Sequence, residues 1–390
     1  MASHLDIKSV VEVVRDVVGV AGLIALHEPE FSGNEKKYLN DCIDSTFVSS
    51  VGKFVDRFEA MLSECTGSRH AIACANGTVS LQVALQLAGV CADDEVFVPA
   101  LTFVATANSV SFLGAVPHFV DSEDRTLGLS AKALAERLEA VAERAPQGVR
   151  NVQTGRRIAA IVPMHAFGHP VDLAGLMKVA EAWEIPIVED ATESLGTFYQ
   201  NRHTGTFGLL SALSFNGNKI VTTGGGGAIL TDDGELARRA KHLTTTAKLP
   251  HRWAFEHDEI GYNYRLPNLN AALGCAQLEQ LEDFVERKRR LADRYRAAFG
   301  HVPGIRVFAE PQGARSNYWL NALMLDESAT DQRDELLDAL NNAGVMSRPA
   351  WTLLHRLPMY CQCPRGSLHV AESLSRRIVN VPSSARLGHA

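Results

Sequence analysis

The segment Ile185-Pro-Ile-Val-Glu-Asp190 is a short apolar run that ends in a carboxylate, and the segment Ser214-Phe-Asn-Gly-Asn-Lys219 begins inside a second such run. Four consecutive glycines, Gly224 to Gly227, follow it. Short runs rich in apolar and β-branched residues indicate buried strands, and the polar residues after them are expected on loops. We therefore expect Asp190 at the end of one strand and Lys219 on the loop that leaves another.

Alternating strands and helices are predicted on both sides of these segments. The expected strands are 71–75, 95–98, 116–120, 158–163, 185–189, 211–215 and 227–231. The expected helices are 77–88, 102–113, 131–144, 172–183 and 234–243. This alternation predicts an α/β fold with a mainly parallel seven-stranded sheet flanked by helices, and ligands of such sheets bind at the carboxyl ends of the strands. The stretch Pro146–Gly155 is expected to be a surface loop.

The two ends of the chain predict further units. Residues 5–19 carry valines at helical spacing and are expected to form an amphipathic helix. The elements expected after Pro267 are a long charged helix to about residue 299, strands at 305–308 and 319–324, and a helix at 331–343. The predicted domains are an N-terminal helical extension (1–22), a large domain (23–266) and a smaller α+β domain (267–390).

Composition and charge exclude several classes of protein. With 390 residues, 46% hydrophobic and 21% charged, the chain has the composition of an ordinary globular protein. A net charge of -7 gives no basic surface for nucleic acid or anionic membranes, so neither is expected as a partner. No stretch holds the roughly 18 consecutive apolar residues of a membrane span. The first residues do not read as a secretory signal.

Cysteine and histidine usage points to a reduced compartment and away from metal binding. The seven cysteines are odd in number and form no CxxC pair, which favours reduced thiols in a cytoplasmic protein. His165 and His169 have the spacing of helical metal ligands, but Gly168 and Pro170 interrupt any helix there. We therefore expect no metal site.

Lys219 and Asp190 are the two residue types that a pyridoxal 5'-phosphate (PLP) enzyme requires. A lysine amine forms a Schiff base with the cofactor aldehyde, and a buried carboxylate keeps the ring nitrogen protonated so that the ring draws electrons. Each residue also has an ordinary alternative. Lys219 can be a solvated surface charge, and Asp190 can cap a helix that begins at Ala191.

Other residues at strand ends could contact an anionic, planar cofactor. Gly77 and Thr78 offer backbone amides and a hydroxyl at a helix start, which suits a phosphate, although Asn76 can simply cap that helix. Phe103 could stack on a flat ring or pack in the core. Ser214 could bind phosphate or be an inward polar residue on a strand.

The segment Gly261-Tyr-Asn-Tyr-Arg265 is dense in polar and aromatic groups. Asn263 and Arg265 are candidate anion contacts, with loop packing and a solvated arginine as the alternatives.

In chain order these motifs resemble the DegT/StrS-type sugar aminotransferases, which are fold-type I PLP enzymes that aminate nucleotide-linked keto sugars. The likeness covers roughly residues 25–385. It is carried by Ala75-Asn-Gly-Thr78, Pro99-Ala-Leu-Thr-Phe103, Val188-Glu-Asp-Ala-Thr-Glu-Ser-Leu-Gly196, Ser214-Phe-Asn-Gly-Asn-Lys219 and Gly261-Tyr-Asn-Tyr-Arg265.

The resemblance implies a role for each motif. Lys219 is the Schiff-base lysine and Asp190 pairs with the pyridine nitrogen. The implied cofactor contacts are Phe103 on the ring, Gly77, Thr78 and Ser214 on the phosphate, Glu193 near the ring hydroxyl, and Asn263 on the phosphate of the neighbouring subunit. The resemblance therefore implies a homodimer with shared active sites. Many relatives carry His or Gln at the position of Glu193. Relatives that dehydrate sugars carry His in place of Lys219, so the lysine of this chain favours transamination.

A finer resemblance concerns a subgroup with an extra N-terminal helix. It is carried by Leu26-His-Glu-Pro-Glu-Phe31, Phe47-Val-Ser-Ser-Val-Gly52 and Val345-Met-Ser-Arg-Pro-Ala-Trp351. That subgroup makes 4-amino-4,6-dideoxy-N-acetylhexosamines on routes to legionaminic-acid-type and bacillosamine-type glycans. The implied substrate contacts are Ser49, Arg265, Arg348, Trp351 and His355.

The function implied is transfer of an amino group from L-glutamate to C4 of a UDP- or GDP-linked 4-keto-6-deoxy-N-acetylhexosamine, for a bacterial surface glycan or nonulosonic acid. Pyridoxamine 5'-phosphate is then the aminated form of the cofactor. Two alternatives stay open: another sugar-nucleotide 3- or 4-aminotransferase of the perosamine type, and a non-catalytic regulator with the PLP fold.

Overall fold

The structure is a computed structural model, and it describes residues 5–389. Its α-helices are α1 (Ile7–Val18), α2 (Glu35–Ser45), α3 (Lys53–Thr66), α4 (Gly77–Leu87), α5 (Val104–Ser111), α6 (Ala131–Val141), α7 (Leu173–Trp183), α8 (Gly234–Thr244), α9 (Asn268–Leu278), α10 (Leu281–Phe299), α11 (Arg333–Asn342) and α12 (His369–Arg377). Its strands are β1 (His70–Cys74), β2 (Glu95–Pro99), β3 (Val116–Val120), β4 (Ala142–Ala145), β5 (Gly148–Asn151), β6 (Arg157–Ile161), β7 (Val188–Asp190), β8 (Phe198–Tyr199), β9 (Arg202–His203), β10 (Leu210–Ser214), β11 (Gly227–Thr231), β12 (Ile305–Val307), β13 (Ala314–Arg315), β14 (Asn321–Leu325), β15 (Arg348–Pro349) and β16 (Ile378–Val381).

The core of the molecule is a sheet in which seven of the described strands follow the order β3-β2-β6-β7-β10-β11-β1. Two parallel bridges, Ile161–Ile187 and Met164–Asp190, connect β6 and the residues after it to β7 and the residue before it. They join two groups of strands into one sheet. Strand β11 is antiparallel to both of its neighbours, and the other pairs are parallel. The mainly parallel seven-stranded sheet predicted from the sequence is confirmed, and β1, β2, β7 and β10 end at one edge.

Both faces of this sheet are buried. Successive side chains of a strand point to opposite sides, so each strand contributes residues to both faces. In β1, Ile72 and Cys74 pack in the cluster that holds residues of α4 and α5, whereas Ala71 and Ala73 pack in the cluster that holds residues of α3 and α9. Helices therefore cover both faces, and the edge formed by the strand ends is left for a site.

A second sheet is antiparallel, with the order β12-β14-β16-β15, and its core includes α1, α10 and α11. The N-terminal helix, predicted over 5–19, spans Ile7–Val18. Asp6 caps it by accepting a hydrogen bond from the Ser9 amide, and Gly19, in the left-handed region, ends it. Arg15 donates to the carbonyl of Ala343 at the end of α11, and the buried face of α1 packs with α10 and α11 of its own chain.

Two predicted elements differ from the structure. The expected surface loop 146–155 contains strand β5, which forms a hairpin with β4 and extends the central sheet beside β6. Buried Val149 in a hydrophobic cluster and Gly148 in the left-handed region at the turn explain the hairpin.

The single long helix expected from residue 267 to 299 is two helices, α9 and α10. The break lies at Gln280, whose side chain donates hydrogen bonds to Glu35 at 2.8 Å and to the Ala276 carbonyl at 3.0 Å. Contacts with a distant part of the chain therefore set this boundary. The division into 1–22, 23–266 and 267–390 stays a prediction. Among residues 5–389, no helix has both the length and the apolar character needed to cross a bilayer.

Candidate active site

A cavity of 560 Å³ lies at the carboxyl edge of the central sheet, between that sheet and the antiparallel one. The residues singled out from the sequence that line it are Gly77, Thr78, Phe103, Asp190, Glu193, Ser214, Lys219, Arg348 and Trp351. The fold thus gathers into one cavity most of the side chains that the sequence motifs had placed on separate loops.

Asp190 is a buried carboxylate that neighbouring hydroxyls hold from two sides. The Thr106 hydroxyl donates to Oδ2 at 2.7 Å, and the Thr192 hydroxyl donates to Oδ1 at 2.7 Å. Residues 191–197 form turns, so Asp190 does not cap a helix there. An ionised carboxylate accepts about four hydrogen bonds, two at each oxygen. Oδ1 also accepts from the Thr192 amide at 3.3 Å, so Oδ2 is the oxygen that keeps capacity for a ligand.

Lys219 lies in the same cavity and is not a solvated surface charge, since its side chain is 13% exposed. Its Nζ is 3.4 Å from Glu193 Oε1 and 4.0 Å from the centroid of the Trp319 ring. Trp319 is itself fixed, because its indole nitrogen donates to the Asn218 carbonyl at 2.7 Å. A carboxylate and an aromatic face therefore hold the amine in place.

Glu193 is buried, and its Oε2 accepts a hydrogen bond from the Phe167 amide at 2.9 Å. Burial raises the pKa of Glu193 to about 7, against the opposing effects of the Lys219 charge and the Phe167 amide. The carboxyl group of Glu193 can therefore gain or lose a proton near neutral pH. The backbone of Phe167, whose amide donates to it, has a φ of 58° and a ψ of 16°, which is the left-handed region.

The turn before α4 forms a tight cradle against the sheet. A Cβ at Gly77 would lie 2.8 Å from the Ser214 Cβ, and a Cβ at Gly227 would lie 2.4 Å from the Asn76 carbonyl carbon, so glycine is required at both positions. The Asn76 side chain does cap α4, by accepting from the Val79 amide at 3.0 Å. The first amides of a helix have no acceptor within it. Those of Gly77 and Thr78 therefore belong to the positive end of α4, which suits an anion.

Aromatic side chains form part of the wall. Phe103, at the start of α5, is 50% exposed and so does not pack in the core. Phe167 and Trp351 stack at 4.7 Å with an interplanar angle of 16°. Arg348, on β15, makes no side-chain hydrogen bond or ion pair to any residue in the range 5–389 and can meet an anionic ligand.

Four residues proposed from the resemblance lie outside the cavity of this chain. Ser49 is exposed, and its carbonyl accepts from the Asn268 amide at 2.6 Å. The Asn263 side-chain oxygen accepts from Arg265 at 3.0 and 3.1 Å. His355 Nε2 is 3.5 Å from Glu372. The structure does not bring these side chains to Lys219 within one chain.

Sequence reasoning missed several residues of the cavity and of its support. Thr106 lies one helical turn after Thr102, and that i, i+4 pair of hydroxyls was a signal that could have been used. Trp319 and Phe167 line the cavity from segments that carried no motif, and His27 lies in the segment Leu26–Phe31, where the resemblance gave it no role. Only tertiary structure brings these three to the site.

The residues present fit PLP. A buried carboxylate with spare acceptor capacity suits a pyridinium nitrogen, and a held amine suits the aldehyde carbon. The Gly77 cradle, which a Cβ would fill, suits a phosphate.

Comparisons with known proteins agree with this geometry. The model of the DegT/DnrJ/EryC1/StrS aminotransferase family matches residues 29–390. A GDP-perosamine synthase of Escherichia coli O157:H7 is 35% identical over 367 residues, which are 94% of each chain. EpsN of Bacillus subtilis (strain 168), whose name includes the words pyridoxal phosphate-dependent aminotransferase, is 36% identical over 93% of this chain and 92% of its own.

A solved structure supports the same relationship. A DegT DnrJ EryC1 StrS aminotransferase from Brucella abortus superposes with a TM-score of 0.81 at 30% identity, covering 90% of each chain. The family model spans most of the chain, and the sequence relatives cover nearly all of it. The chain therefore belongs to the DegT/DnrJ/EryC1/StrS aminotransferase family, a family of PLP-dependent sugar aminotransferases.

Proposed function

We propose that this protein transfers the amino group of L-glutamate to C4 of a nucleotide-linked 4-keto-6-deoxy-N-acetylhexosamine, in the cytoplasm, for a bacterial glycan or nonulosonic acid. The observation that carries the proposal is the presence of the Lys219 amine and the Asp190 carboxylate in one cavity. A lysine there supports amination, since dehydration of a sugar would not need an amine that attaches and releases the cofactor.

PLP supplies an electron-withdrawing ring that stabilises negative charge next to the reacting carbon. Asp190 would hold the pyridinium proton, with Thr106 and Thr192 keeping its carboxylate in position. Lys219 Nζ would take the proton from Cα of glutamate and deliver it to C4', the aldehyde carbon of the cofactor. In the second half of the reaction the same amine would move the proton to C4 of the sugar.

The remaining cofactor contacts follow from the cradle and the wall. Gly77, Thr78 and Ser214 would hold the phosphate, and Phe103 would stack on the ring. Arg348 has a free guanidinium within the described chain, which suits a carboxylate of glutamate or a diphosphate, and Trp351 beside it would contact the sugar nucleotide.

Lys219→Ala is expected to lower turnover by about 10³-fold or more, because among residues 5–389 no other amine lines the cavity to move the proton. Asp190→Asn is expected to lower it by about 10²-fold or more while the melting temperature stays close to that of the wild type. Initial rates with glutamate, a 4-keto sugar nucleotide as amino acceptor and saturating PLP measure both effects. Lys241→Ala, a partly exposed lysine paired with Glu59, is the matched control. Near-normal turnover of Lys219→Ala would contradict the assignment.

We propose that Glu193 contacts the ring hydroxyl and exchanges a proton with it. Because the pKa of Glu193 is raised to about 7, its carboxyl group should be mostly protonated at pH 6 and mostly ionised at pH 8. Infrared difference spectra of the cofactor-free protein should show a carboxylic-acid band that disappears over this range and is missing in Glu193→Gln.

Glu189 provides an internal control for that titration. Burial pushes its pKa upwards, but hydrogen bonds from His165 and from the Gly205 and Gly208 amides outweigh burial and lower it. Glu189 should therefore stay ionised across the same range. A pH-independent spectrum, or an unchanged titration in Glu193→Gln, would remove Glu193 from this role.

We also propose a homodimer in which Asn263 and Arg265 complete the site of the partner subunit. Both lie on an exposed or half-exposed segment outside their own cavity, which supports action in a neighbouring one. Ser49 and His355 are equally outside the cavity; the same argument makes Ser49, which is exposed, a candidate for the partner's substrate.

Mixed dimers test this arrangement. Lys219→Ala and Asn263→Ala homodimers should both be impaired, but a heterodimer purified through two tags has one complete site. It should recover about half of the wild-type turnover per dimer if Asn263 acts across the interface. A heterodimer of Lys219→Ala with wild type sets the reference value. No recovery would place Asn263 at its own site or in none.

Two classes of sugar substrate are supported by different observations. The segments beginning at Leu26, Phe47 and Val345 support an N-acetylhexosamine, linked to UDP or GDP. The 35% identity to a GDP-perosamine synthase of Escherichia coli supports a perosamine-type substrate linked to GDP.

Purified protein converted to the pyridoxamine form with glutamate should therefore be offered UDP-linked 4-keto-6-deoxy-N-acetylglucosamine and GDP-linked 4-keto-6-deoxymannose separately. We expect the N-acetylated sugar to be aminated at least about tenfold faster in kcat/KM. The reverse preference would assign the perosamine-type reaction. If glutamate converts the cofactor but no 4-keto sugar accepts the amine, the substrate proposal fails. If glutamate converts nothing, the non-catalytic regulator is the better description.

A further inference from the structure

His27 lines the same cavity as Lys219, and neither of its ring nitrogens has a hydrogen-bond partner among residues 5–389. Both nitrogens are buried. An unpaired polar group in a buried position destabilises the protein unless a bound molecule provides its partner. His27 therefore has the properties of a ligand contact whose partner is a substrate.

The backbone around His27 is fixed by the second sheet and the segments that follow its strands. The Ile24 amide donates to the Gly344 carbonyl at 2.8 Å, and the Ser383 amide donates to the Leu26 carbonyl at 2.7 Å. The Glu28 amide donates to the Ser384 hydroxyl at 3.0 Å. The backbone that carries His27 is therefore held in place before any ligand binds, as a recognition residue requires.

The ring of His27 is neutral at neutral pH. Burial lowers its pKa well below the usual 6.5, and the charges of Lys288 and Lys219 lower it further. A neutral imidazole offers one N–H donor and one nitrogen acceptor. Its best partner therefore both accepts and donates a hydrogen bond.

This requirement separates the two substrates. The carboxylates of glutamate only accept hydrogen bonds and would leave the acceptor nitrogen of His27 unpaired, whereas Arg348 suits them. A sugar hydroxyl, or the N–H and carbonyl of an acetamido group, can satisfy both nitrogens. Asn380 adds a second argument, since it lines the cavity, pairs with Arg348 across β15 and β16, and has a buried Oδ1 without a donor.

We propose that His27 is a binding residue for the keto sugar, holding a hydroxyl or acetamido group during the second half of the reaction. The proposal rests on the proposed function, since it requires a sugar substrate at this site. It assigns His27 no part in binding PLP or in the reaction with glutamate.

The two half-reactions can be measured separately to test this role. His27→Phe keeps a planar ring and removes both polar atoms, while His27→Gln keeps a donor and an acceptor. For His27→Phe we expect the KM for the sugar nucleotide to rise about tenfold or more, with partial recovery in His27→Gln. The absorbance change with glutamate alone should stay within about twofold of the wild-type rate.

A binding measurement avoids reliance on turnover. Calorimetric titration of the PLP-free protein with UDP-linked 4-keto-6-deoxy-N-acetylglucosamine, and with GDP-linked 4-keto-6-deoxymannose, should show the same loss of affinity in His27→Phe. His169→Phe is the matched control, because His169 is also buried with both nitrogens unpaired but does not line the cavity. It should bind the sugar nucleotide as the wild type does.

The outcomes distinguish the proposals. Equal impairment of both half-reactions, weaker PLP binding, a defect with glutamate alone, or unchanged sugar affinity in His27→Phe would each overturn the role of His27. A wild-type protein that reacts with glutamate but neither binds nor aminates any 4-keto sugar would instead overturn the proposed function.

Discussion

The hydrogen bonds of Asp190 join the fold to the site. Its backbone amide donates to the Pro163 carbonyl at 2.9 Å, at the seam between β6 and β7 where two groups of strands meet to form one sheet. Its side chain accepts from hydroxyls on both sides, at Thr106 and Thr192. A residue that helps to hold the two halves of the central sheet together therefore also places a carboxylate in the cavity. A shift of this seam would displace the carboxylate that PLP needs.

The second sheet contributes to the site through a chain of contacts around Trp319. Its ring lies over the Lys219 amine, and its carbonyl accepts from the buried amine of Lys288 on α10 at 3.1 Å. Burial lowers the pKa of Lys288 well below its usual value. The same amine also donates to the Ser383 carbonyl, so it ties Trp319 to the segment that follows β16. The antiparallel sheet thus helps to fix the aromatic ring that lies over Lys219.

Sequence patterns predicted what lies at strand ends and missed what arrives from elsewhere in the chain. Lys219, Asp190, Gly77 and Ser214 follow strands of one parallel sheet, and such strands must end at a common edge, so their convergence could be predicted. His27 reaches the same cavity through backbone contacts with residues more than 300 positions away in the chain, and no local periodicity encodes them. The helix break at Gln280 and the β4–β5 hairpin likewise depend on long-range hydrogen bonds and on the edge of a sheet, which outweigh local propensity.

The left-handed backbone at Phe167 has a consequence for how the site responds to its ligands. A non-glycine residue in that region stores conformational energy of the order of 1–3 kcal/mol, and it persists only where surrounding contacts hold it. Two such contacts are the Glu193 carboxylate on its amide and the Leu320 amide on its carbonyl. The Phe167 ring in turn stacks on Trp351. Protonation of Glu193 would therefore weaken one of the hydrogen bonds that hold Phe167 in this conformation. Because Phe167 stacks on Trp351, the aromatic wall of the cavity would become free to rearrange.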